Sequence, residues 1–352
     1  MKSRLFAAVL AGTSVFALAA CEDANRDGKT GAVAPAAAPA TPAVAPAQPG
    51  VLDVAAVNSA TFAPPPAEPE GVSPVLAKAQ VLLDRAGFSP GVIDARYGEN
   101  VRLALEAFQE ARGLPGDGAL TAETFAALEQ VGGPPAFARY TITAQDVAGP
   151  FNSSIPEEIP EKAKLQHLGY TSAAELIAER FHMDEQLLRA LNPGVDFRTA
   201  GVSIHVANPA RPALAGTVAR LEVDKEDKAL RAYDEAGTLL AYYPATIGSA
   251  EQPSPSGSMK VNGVARNPTF TYDPKKLDYN KDIKTKTTVA AGPNNPVGLV
   301  WIDLSKPTYG IHGSPEPDVI GKTQSNGCVR LSNWDALHLA AAVKPGVRVQ
   351  FV

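Results

Sequence analysis

Apolar side chains recur at helical spacing in residues 73–131. Two stripes have this spacing, and they consist of Leu76, Ala79, Leu82, Leu83 and Ala86, and of Val101, Leu105 and Phe108. Gly87 and Gly113 follow the stripes as typical helix terminators, and Thr121 is a candidate N-cap for a third helix. The segment is therefore predicted to form three short helices around a shared apolar core.

Residues 140–210 are predicted to form a second, smaller module. Its elements, in chain order, are a strand at 140–143, helices at 173–181 and 184–191, and a strand at 203–206. Asn192-Pro193-Gly194 provides the stop signal for the second helix. Residues 209–212 begin and end with proline and are predicted to be a hinge to the last region of the chain.

The apolar period changes to two in the last region, which is typical of half-buried strands. One such strand alternates apolar and charged positions, namely Ala219, Leu221 and Val223 with Arg220, Glu222 and Asp224. Residues 347–352 alternate again. A helix is predicted after Ser332, a candidate N-cap, with Asp335 in its first turn. Residues 217–352 are therefore predicted to be a mainly β domain of ordinary size.

The N-terminus has the pattern of an export signal. Lys2 and Arg4 precede an apolar run at residues 5–18, which is short for a membrane span but suits a signal peptide. Leu18-Ala19-Ala20-Cys21 is similar to a bacterial lipobox, so we predict a signal peptide at 1–20 and a lipid on Cys21. An ordinary secretory signal is the alternative, because Ala17-Leu18-Ala19 is also a cleavage pattern.

Residues 21–72 are rich in Ala and Pro and contain too few large apolar side chains to form a core. We predict a disordered linker here. With a lipid on Cys21, this linker would tether the folded part of the chain to a membrane.

Composition and charge narrow the range of functions. The chain has 352 residues, a net charge of −5 and no long basic run, which argues against nucleic acid as a partner. His167, His182 and His205 lack the spacing of metal ligands, and no metal site or cofactor is predicted. Cys21 and Cys328 are the two cysteines, and lipidation of the first leaves the second as an unpaired thiol.

The best candidate for chemistry is the segment Ser325-Asn326-Gly327-Cys328-Val329-Arg330, which follows Ile311-His312-Gly313-Ser314. The thiolate is the reactive form of cysteine, and a nearby imidazole can take its proton. Gly327 lets a substrate carbonyl approach the main chain, where N–H groups can hold an oxyanion. A buried structural cysteine beside a structural histidine is the alternative interpretation.

These two motifs resemble those of the YkuD-type L,D-transpeptidase family over residues 217–352. The resemblance also includes Tyr309-Gly310, the Ile320-Gly321-Lys322 turn and Ser254-Pro255-Ser256-Gly257. It implies a mainly β, sandwich-like catalytic domain with one helix after the cysteine motif. It implies Cys328 as nucleophile, His312 as general acid and base, and the Gly313 carbonyl as the group that orients the imidazole. The residues implied to contact the substrate or the oxyanion are Gly327, Asn326, Ser325, Arg330 and Tyr309.

Two further resemblances concern the modules before this domain. Residues 73–131 resemble the peptidoglycan-binding domain type 1, through Gly91, Asp94, Tyr97-Gly98, Phe108-Gln109 and Gly113-Leu114. The β-α-α-β order of residues 140–210 resembles a LysM module with an insertion at residues 149–169.

The family resemblance implies a peptidoglycan L,D-transpeptidase that works without a cofactor in the periplasm or cell envelope of a Gram-negative-type bacterium. It would form 3→3 cross-links, or exchange amines, through an acyl-enzyme on tetrapeptide stems, with loss of the terminal D-Ala. Two alternatives remain, a carboxypeptidase or amidase of the same fold and a non-catalytic wall-binding lipoprotein. Asn326 stands where the family usually has histidine, so the choice of acceptor stays open.

Overall fold

The computed structural model describes residues 52–64, 71–250, 252–277 and 279–352. The predicted signal peptide, the lipobox with Cys21 and most of the predicted linker lie outside these residues. Within them, no helix is long and apolar enough to cross a membrane.

The N-terminal module consists of α2 (Pro74–Arg85), α3 (Glu99–Ala111) and α4 (Ala122–Glu129). The hydroxyl of Thr121 accepts a hydrogen bond from the N–H of Thr124, which confirms this residue as an N-cap. The two predicted apolar stripes face one another, and the core between them includes Leu76, Leu83, Leu105, Phe108 and Phe125.

A short helix precedes this module, where the sequence predicted disorder. Helix α1 (Val54–Ser59) is capped by the side chain of Asp53, and Val57 is fully buried. Asn58 forms hydrogen bonds with both the N–H and the carbonyl of Phe137, each 2.9 Å long. The prediction of a disordered linker is therefore wrong for residues 52–64, because the Asn58 amide and the apolar side chains of Leu52, Val57 and Phe62 dock this segment on the modules that follow.

The middle module has the predicted order of strands and helices. Its elements are β1 (Phe137–Thr141), α5 (Ala144–Val147), α6 (Ile159–Lys162), α7 (Ala173–Arg180), α8 (Glu185–Leu191) and β2 (Ser203–Ala207). Strands β1 and β2 pair antiparallel, and α7 and α8 contribute Ile177 and Leu188 to the core beneath them. The short helices α5 and α6 were not predicted. The LysM assignment stays a prediction.

The C-terminal domain contains most of the strands. They are β3 (Arg220–Asp224), β4 (Ala229–Tyr233), β5 (Leu239–Pro244), β6 (Ile247–Gly248), β7 (Gly257–Arg266), β8 (Phe270–Tyr272), β9 (Thr287–Val289), β10 (Val300–Leu304), β11 (Gly310–His312), β12 (Gln324–Ser325), β13 (Val329–Arg330) and β14 (Arg348–Phe351). In the described part of the chain, eight of them form one mixed sheet in the order β13-β11-β10-β7-β14-β3-β4-β5. Strand β6 pairs with β12, and β8 with β9.

The domain was expected to be sandwich-like, with two sheets, but its main strands form one sheet. Strand β7 connects the two halves of this sheet. Its first residues, Gly257 to Lys260, pair with β14, whereas its later residues pair with β10. One apolar core covers both halves of the sheet and includes Leu221, Val261, Ile302 and Val349. Helix α9 (Asn333–Ala342) packs on this core, and Ser332 caps it as predicted.

The N-terminal module docks against the edge of this sheet. Strand β5 is the last in the strand order, and the N–H of its Tyr242 donates to the carbonyl of Gly87. The carbonyl of Tyr242 in turn accepts from the N–H of Ser89 at 2.9 Å. The loop after α2 thus pairs with an edge strand that would otherwise expose unpaired backbone groups.

The predicted hinge at residues 209–212 is a buried clamp. The Arg211 side chain is only 4% exposed and lies between the carboxylates of Asp84, in α2, and Asp335, in α9. The Arg211–Asp335 ion pair is 2.7 Å long. His182 of the middle module donates a 3.0 Å hydrogen bond from Nδ1 to the Asp84 carboxylate, and its ring stacks on Trp334. The prediction of a hinge is therefore wrong, since the Arg211 guanidinium joins the N-terminal module to the catalytic domain, and His182 of the middle module binds the same Asp84 carboxylate.

We expect Arg211→Met to lower the stability of the protein by about 3–5 kcal/mol, because the change leaves two buried carboxylates without their cation. Denaturant unfolding followed by tryptophan fluorescence measures the loss. Arg198→Met is the control, since Arg198 pairs with Asp196 at the surface and its side chain is 85% exposed. If both variants unfold at the wild-type midpoint, Arg211 does not hold the modules together.

Candidate active site

A row of four side chains crosses one end of the sheet. Trp301 in β10 lies opposite Ala265 in β7 on one side and His312 in β11 on the other, and His312 lies beside Arg330 in β13. Residues at opposite register positions share a face of the sheet. All four line a cleft of about 810 Å³ that also contains Cys328.

The alternate residues of the same strands point into the core. They are Val264, Ile302, Ile311 and Val329, which pack in or against the main apolar cluster. The burial of this opposite face sets the register of the strands, because a shift of one residue would exchange the two faces. The core thus fixes which side chains face the cleft.

The loop that carries Cys328 is braced by two hydroxyl groups. Gly327 has φ +108°, which favours glycine, and a Cβ there would lie 3.0 Å from the Tyr309 ring. Ser325 donates a 2.6 Å hydrogen bond to the Cys328 carbonyl and accepts one from the Gly327 N–H. Ser254 donates to the Gly327 carbonyl at 2.9 Å. The Gly327 N–H and the Ser325 hydroxyl therefore shape the loop and are already engaged within it.

One nitrogen of the His312 imidazole is held by the main chain. Nδ1 lies 2.7 Å from the carbonyl oxygen of Gly313. A carbonyl can only accept, so Nδ1 carries the proton and Nε2 is the basic nitrogen. Burial and the positive charge of Arg330 lower the pKa of His312 to about 3, against the opposing effect of the Gly313 bond. The imidazole is therefore neutral near pH 7.

The Cys328 thiol is also neutral in this structure. Burial raises its pKa, and this effect exceeds the opposite effects of the Gly310 N–H and the Arg330 charge. The thiol hydrogen bond goes to the carbonyl of Thr308, with 3.6 Å between Sγ and the oxygen. The free site thus holds a thiol and an imidazole, and no preformed thiolate–imidazolium pair.

Three other predicted site residues lie on the cleft. Tyr309 lines it with its ring 4.4 Å from the Lys306 ammonium. Asn326 lines it as an exposed side chain, and Arg330 lines it half-buried beside His312. The structure therefore brings every predicted residue of the C-terminal site to one cleft or to the loop that borders it.

Asn333 is a positioning residue that the sequence analysis missed. Its Oδ1 accepts from the Leu299 N–H at 2.9 Å and occupies the space where a Cβ on Gly313 would stand. Its Nδ2 donates to Glu179 of the middle module at 3.1 Å. Asn333 therefore packs against the main chain of Gly313 at the place of the missing side chain. A nearly fully buried asparagine directly after a helix cap is the signal that marks it.

No group of three or more His, Cys, Asp or Glu side chains in the described ranges is arranged to hold a metal ion. The titratable groups that line the cleft include a thiol, an imidazole, cationic side chains and the Asp273 carboxylate.

Comparison with known proteins identifies the class of the two terminal modules. Residues 219–350 match the family model of the YkuD L,D-transpeptidase catalytic domain, and residues 73–128 match that of a peptidoglycan-binding domain. The C-terminal domain is thus that of an acyltransferase, and peptidoglycan is the implied substrate.

Individual relatives agree with this class. A Bacillus licheniformis protein named "Putative L,D-transpeptidase YkuD" is 33% identical over 178 residues, which cover 50% of this chain and 90% of the relative. The chain belongs to the YkuD family of L,D-transpeptidases. The Escherichia coli protein "Probable L,D-transpeptidase YbiS" is 30% identical over 190 residues, covering 52% of this chain and 61% of the relative.

A solved structure of an L,D-transpeptidase from Xylanimonas cellulosilytica covers 83% of this chain and 100% of its own, at 17% identity and a TM-score of 0.37.

We expect the rate at which iodoacetamide alkylates Cys328 to increase only at pH values above the ordinary thiol pKa of about 8.5, because burial favours the neutral thiol. Mass measurement of the Cys328 peptide follows the reaction. Arg330→Gln should move the profile to higher pH, since the Arg330 charge lowers the thiol pKa. Arg348→Gln, which removes an exposed charge from β14, should leave it unchanged. A profile centred below pH 7 would instead show a preformed ion pair.

Proposed function

We propose that this protein is a peptidoglycan L,D-transpeptidase that acts through a Cys328 acyl-enzyme. One observation carries the proposal. His312 lies at the cleft with Cys328, and the Gly313 carbonyl holds Nδ1 so that Nε2 is the nitrogen able to accept a proton. Family membership supplies the reaction class, and the peptidoglycan-binding domain supplies the polymer.

The first half of the reaction forms the acyl-enzyme. Because both groups are neutral at rest, His312 Nε2 takes the thiol proton as Sγ attacks the carbonyl between the diamino acid and the terminal D-Ala of a tetrapeptide stem. The C–N bond breaks, and D-Ala leaves as an amine with the proton from His312. A thioester on Cys328 remains.

The second half transfers the acyl group. An acceptor amine attacks the thioester, and His312 takes a proton from the amine and returns it to the departing Cys328 thiolate. With the side-chain amine of a second stem as acceptor, the product is a 3→3 cross-link. With another amine, it is an exchanged stem.

Two features of the cleft stabilise the negative charge that develops on the Cys328 sulfur in these steps. Arg330 lies beside His312 and favours the thiolate form of Cys328. The Gly310 N–H is directed at the same sulfur and acts in the same direction. Both favour the thiolate over the thiol and so stabilise the sulfur as it loses its proton, whereas the Arg330 charge also disfavours the protonated form of His312.

The proposal extends to location. The predicted lipid on Cys21 would place the enzyme on a membrane of the cell envelope, and the peptidoglycan-binding domain would raise the local concentration of a polymer that it binds weakly. The LysM-like module would add a second contact of this kind.

We expect the wild-type protein to release D-Ala from disaccharide tetrapeptides and to form dimers, both followed by mass spectrometry. Release without dimers would identify water as the acceptor and the protein as a carboxypeptidase. A protein that leaves the tetrapeptide unchanged, and whose Cys328→Ala variant still binds sacculi, would be a wall-binding protein without catalysis.

We expect Cys328→Ala and His312→Ala each to abolish acylation by a carbapenem, because the first lacks the nucleophile and the second its base. Asn326→Ala should only slow acylation, since the exposed side chain can neither carry the acyl group nor titrate near pH 7. Intact-protein mass gives the extent of acylation, and thermal unfolding checks that each variant is folded. Normal acylation of His312→Ala would show that another group is the base.

A further inference from the structure

The middle module supplies part of the wall of the active-site cleft. Helix α6 lies in the insertion at residues 149–169, and its Ile159 and Lys162 line the same cleft as Cys328 and Arg330. This wall comes from outside residues 219–350, which match the catalytic domain family. A side chain of one module therefore faces the reacting groups of another.

Main-chain hydrogen bonds fix the end of this insertion on the catalytic domain. The Leu168 N–H donates to the Ala291 carbonyl at 3.0 Å, and the Leu168 carbonyl accepts from the Asn294 N–H at 2.9 Å. Gly292, between these partners, has φ +145°, and the Leu168 carbonyl occupies the place of a Cβ there. The end of the insertion and the segment around Gly292 are thus in direct backbone contact.

An apolar cluster fixes the helix itself. Ile159 and Leu168 pack with Tyr272 of β8, Val289 of β9 and Ile283 of the loop between these strands. Helix α6 and the β8–β9 hairpin therefore form one continuous wall, and Lys162 has a defined position on it.

The charges on the cleft are mainly positive. Among the described lining residues, the charged side chains are Lys162, Lys276 and Arg330 against Asp273. No described residue forms a hydrogen bond or an ion pair with the Lys162 ammonium or the Arg330 guanidinium, although Glu157, Glu158 and Glu316 lie within electrostatic range of Lys162 as exposed groups.

A half-buried cation without a partner favours an anionic ligand. Burial lowers the pKa of Lys162, Arg330 adds to this effect, and Glu316 opposes it. A carboxylate placed near Lys162 and Arg330 would compensate both cations in a partly desolvated site, where charge-assisted hydrogen bonds are strong.

We propose that Lys162 is a substrate-binding residue that, together with Arg330, holds a free carboxylate of the stem peptide. The inference rests on the proposed function for the identity of the substrate. A tetrapeptide stem offers three such carboxylates, those of the terminal D-Ala, of the diamino acid side chain and of the γ-linked glutamate. All three share the chemistry that this pair of cations recognises.

The test compares D-Ala release by the full-length wild type, Lys162→Gln and Lys164→Gln. Lys164 is the matched control, because it lies two residues away, pairs with Glu161 and is not part of the cleft lining. We expect Lys162→Gln to raise KM for the disaccharide tetrapeptide by about tenfold or more, the scale of a hydrogen bond to a charged group. The kcat should stay unchanged, and Lys162→Arg should restore KM. Equal KM values for wild type and Lys162→Gln would overturn the inference.

Amidated substrates identify the carboxylate. One stem has its terminal D-Ala amidated, a second has its diamino acid side-chain carboxylate amidated, and a third has the α-carboxylate of its γ-linked glutamate amidated. With wild type, amidation of the bound carboxylate should raise KM as much as Lys162→Gln does, and with Lys162→Gln it should have no further effect. If Lys162→Gln responds to all three amidations as strongly as wild type does, Lys162 contacts none of these carboxylates and the inference fails.

A binding experiment separates this inference from the proposed function. Calorimetry measures tetrapeptide binding to Cys328→Ala and to Cys328→Ala combined with Lys162→Gln. If wild type releases no D-Ala but the second variant binds about tenfold more weakly, the proposed function fails and Lys162 remains a carboxylate-binding residue. If the two variants bind the tetrapeptide with equal affinity, Lys162 does not bind a carboxylate, whatever the catalytic result.

Discussion

The arrangement of the three modules depends on one guanidinium group enclosed by two carboxylates. Arg211, Asp84 and Asp335 come from the connecting segment, the peptidoglycan-binding module and the catalytic domain, and all three side chains are buried. Burial alone would raise the pKa of Asp84, but the charges of Arg211 and His182 hold it well below its usual range. None of these charges can remain buried without the others, so the modules are coupled electrostatically and not only through apolar contact.

Burial also determines the state of the reacting groups. It lowers the pKa of His312 and raises that of Cys328, so the free site contains a neutral imidazole and a neutral thiol. The neutral thiol is less reactive than a thiolate. Such a site resists alkylation and oxidation until a substrate supplies the electrophile. The reaction then requires a proton transfer from Cys328 to His312, and the hydrogen bond from His312 Nδ1 to the Gly313 carbonyl leaves Nε2 free to accept that proton.

Local sequence patterns predicted the helices, the strands and the pair of His312 and Cys328. They could not predict the contacts between modules. The helical period located α7 and α8 within a residue or two, and the motifs around His312 and Cys328 lie at one cleft. The hinge was mispredicted because proline-rich composition says nothing about the carboxylates that enclose Arg211. Lys162 was missed because it lies on a four-residue helix that has no periodic signal, far along the chain from Cys328.

The contact between Gly292 and Leu168 has a consequence for engineering this architecture. A Cβ at Gly292 would meet the Leu168 carbonyl, and the positive φ of Gly292 also disfavours a side chain there. Exchange of the middle module for an unrelated one would remove the carbonyl that packs on Gly292 and a wall of the cleft in the same step. The smallest exchangeable unit is therefore larger than the catalytic domain, because the side chains that line the cleft come from both sides of this contact.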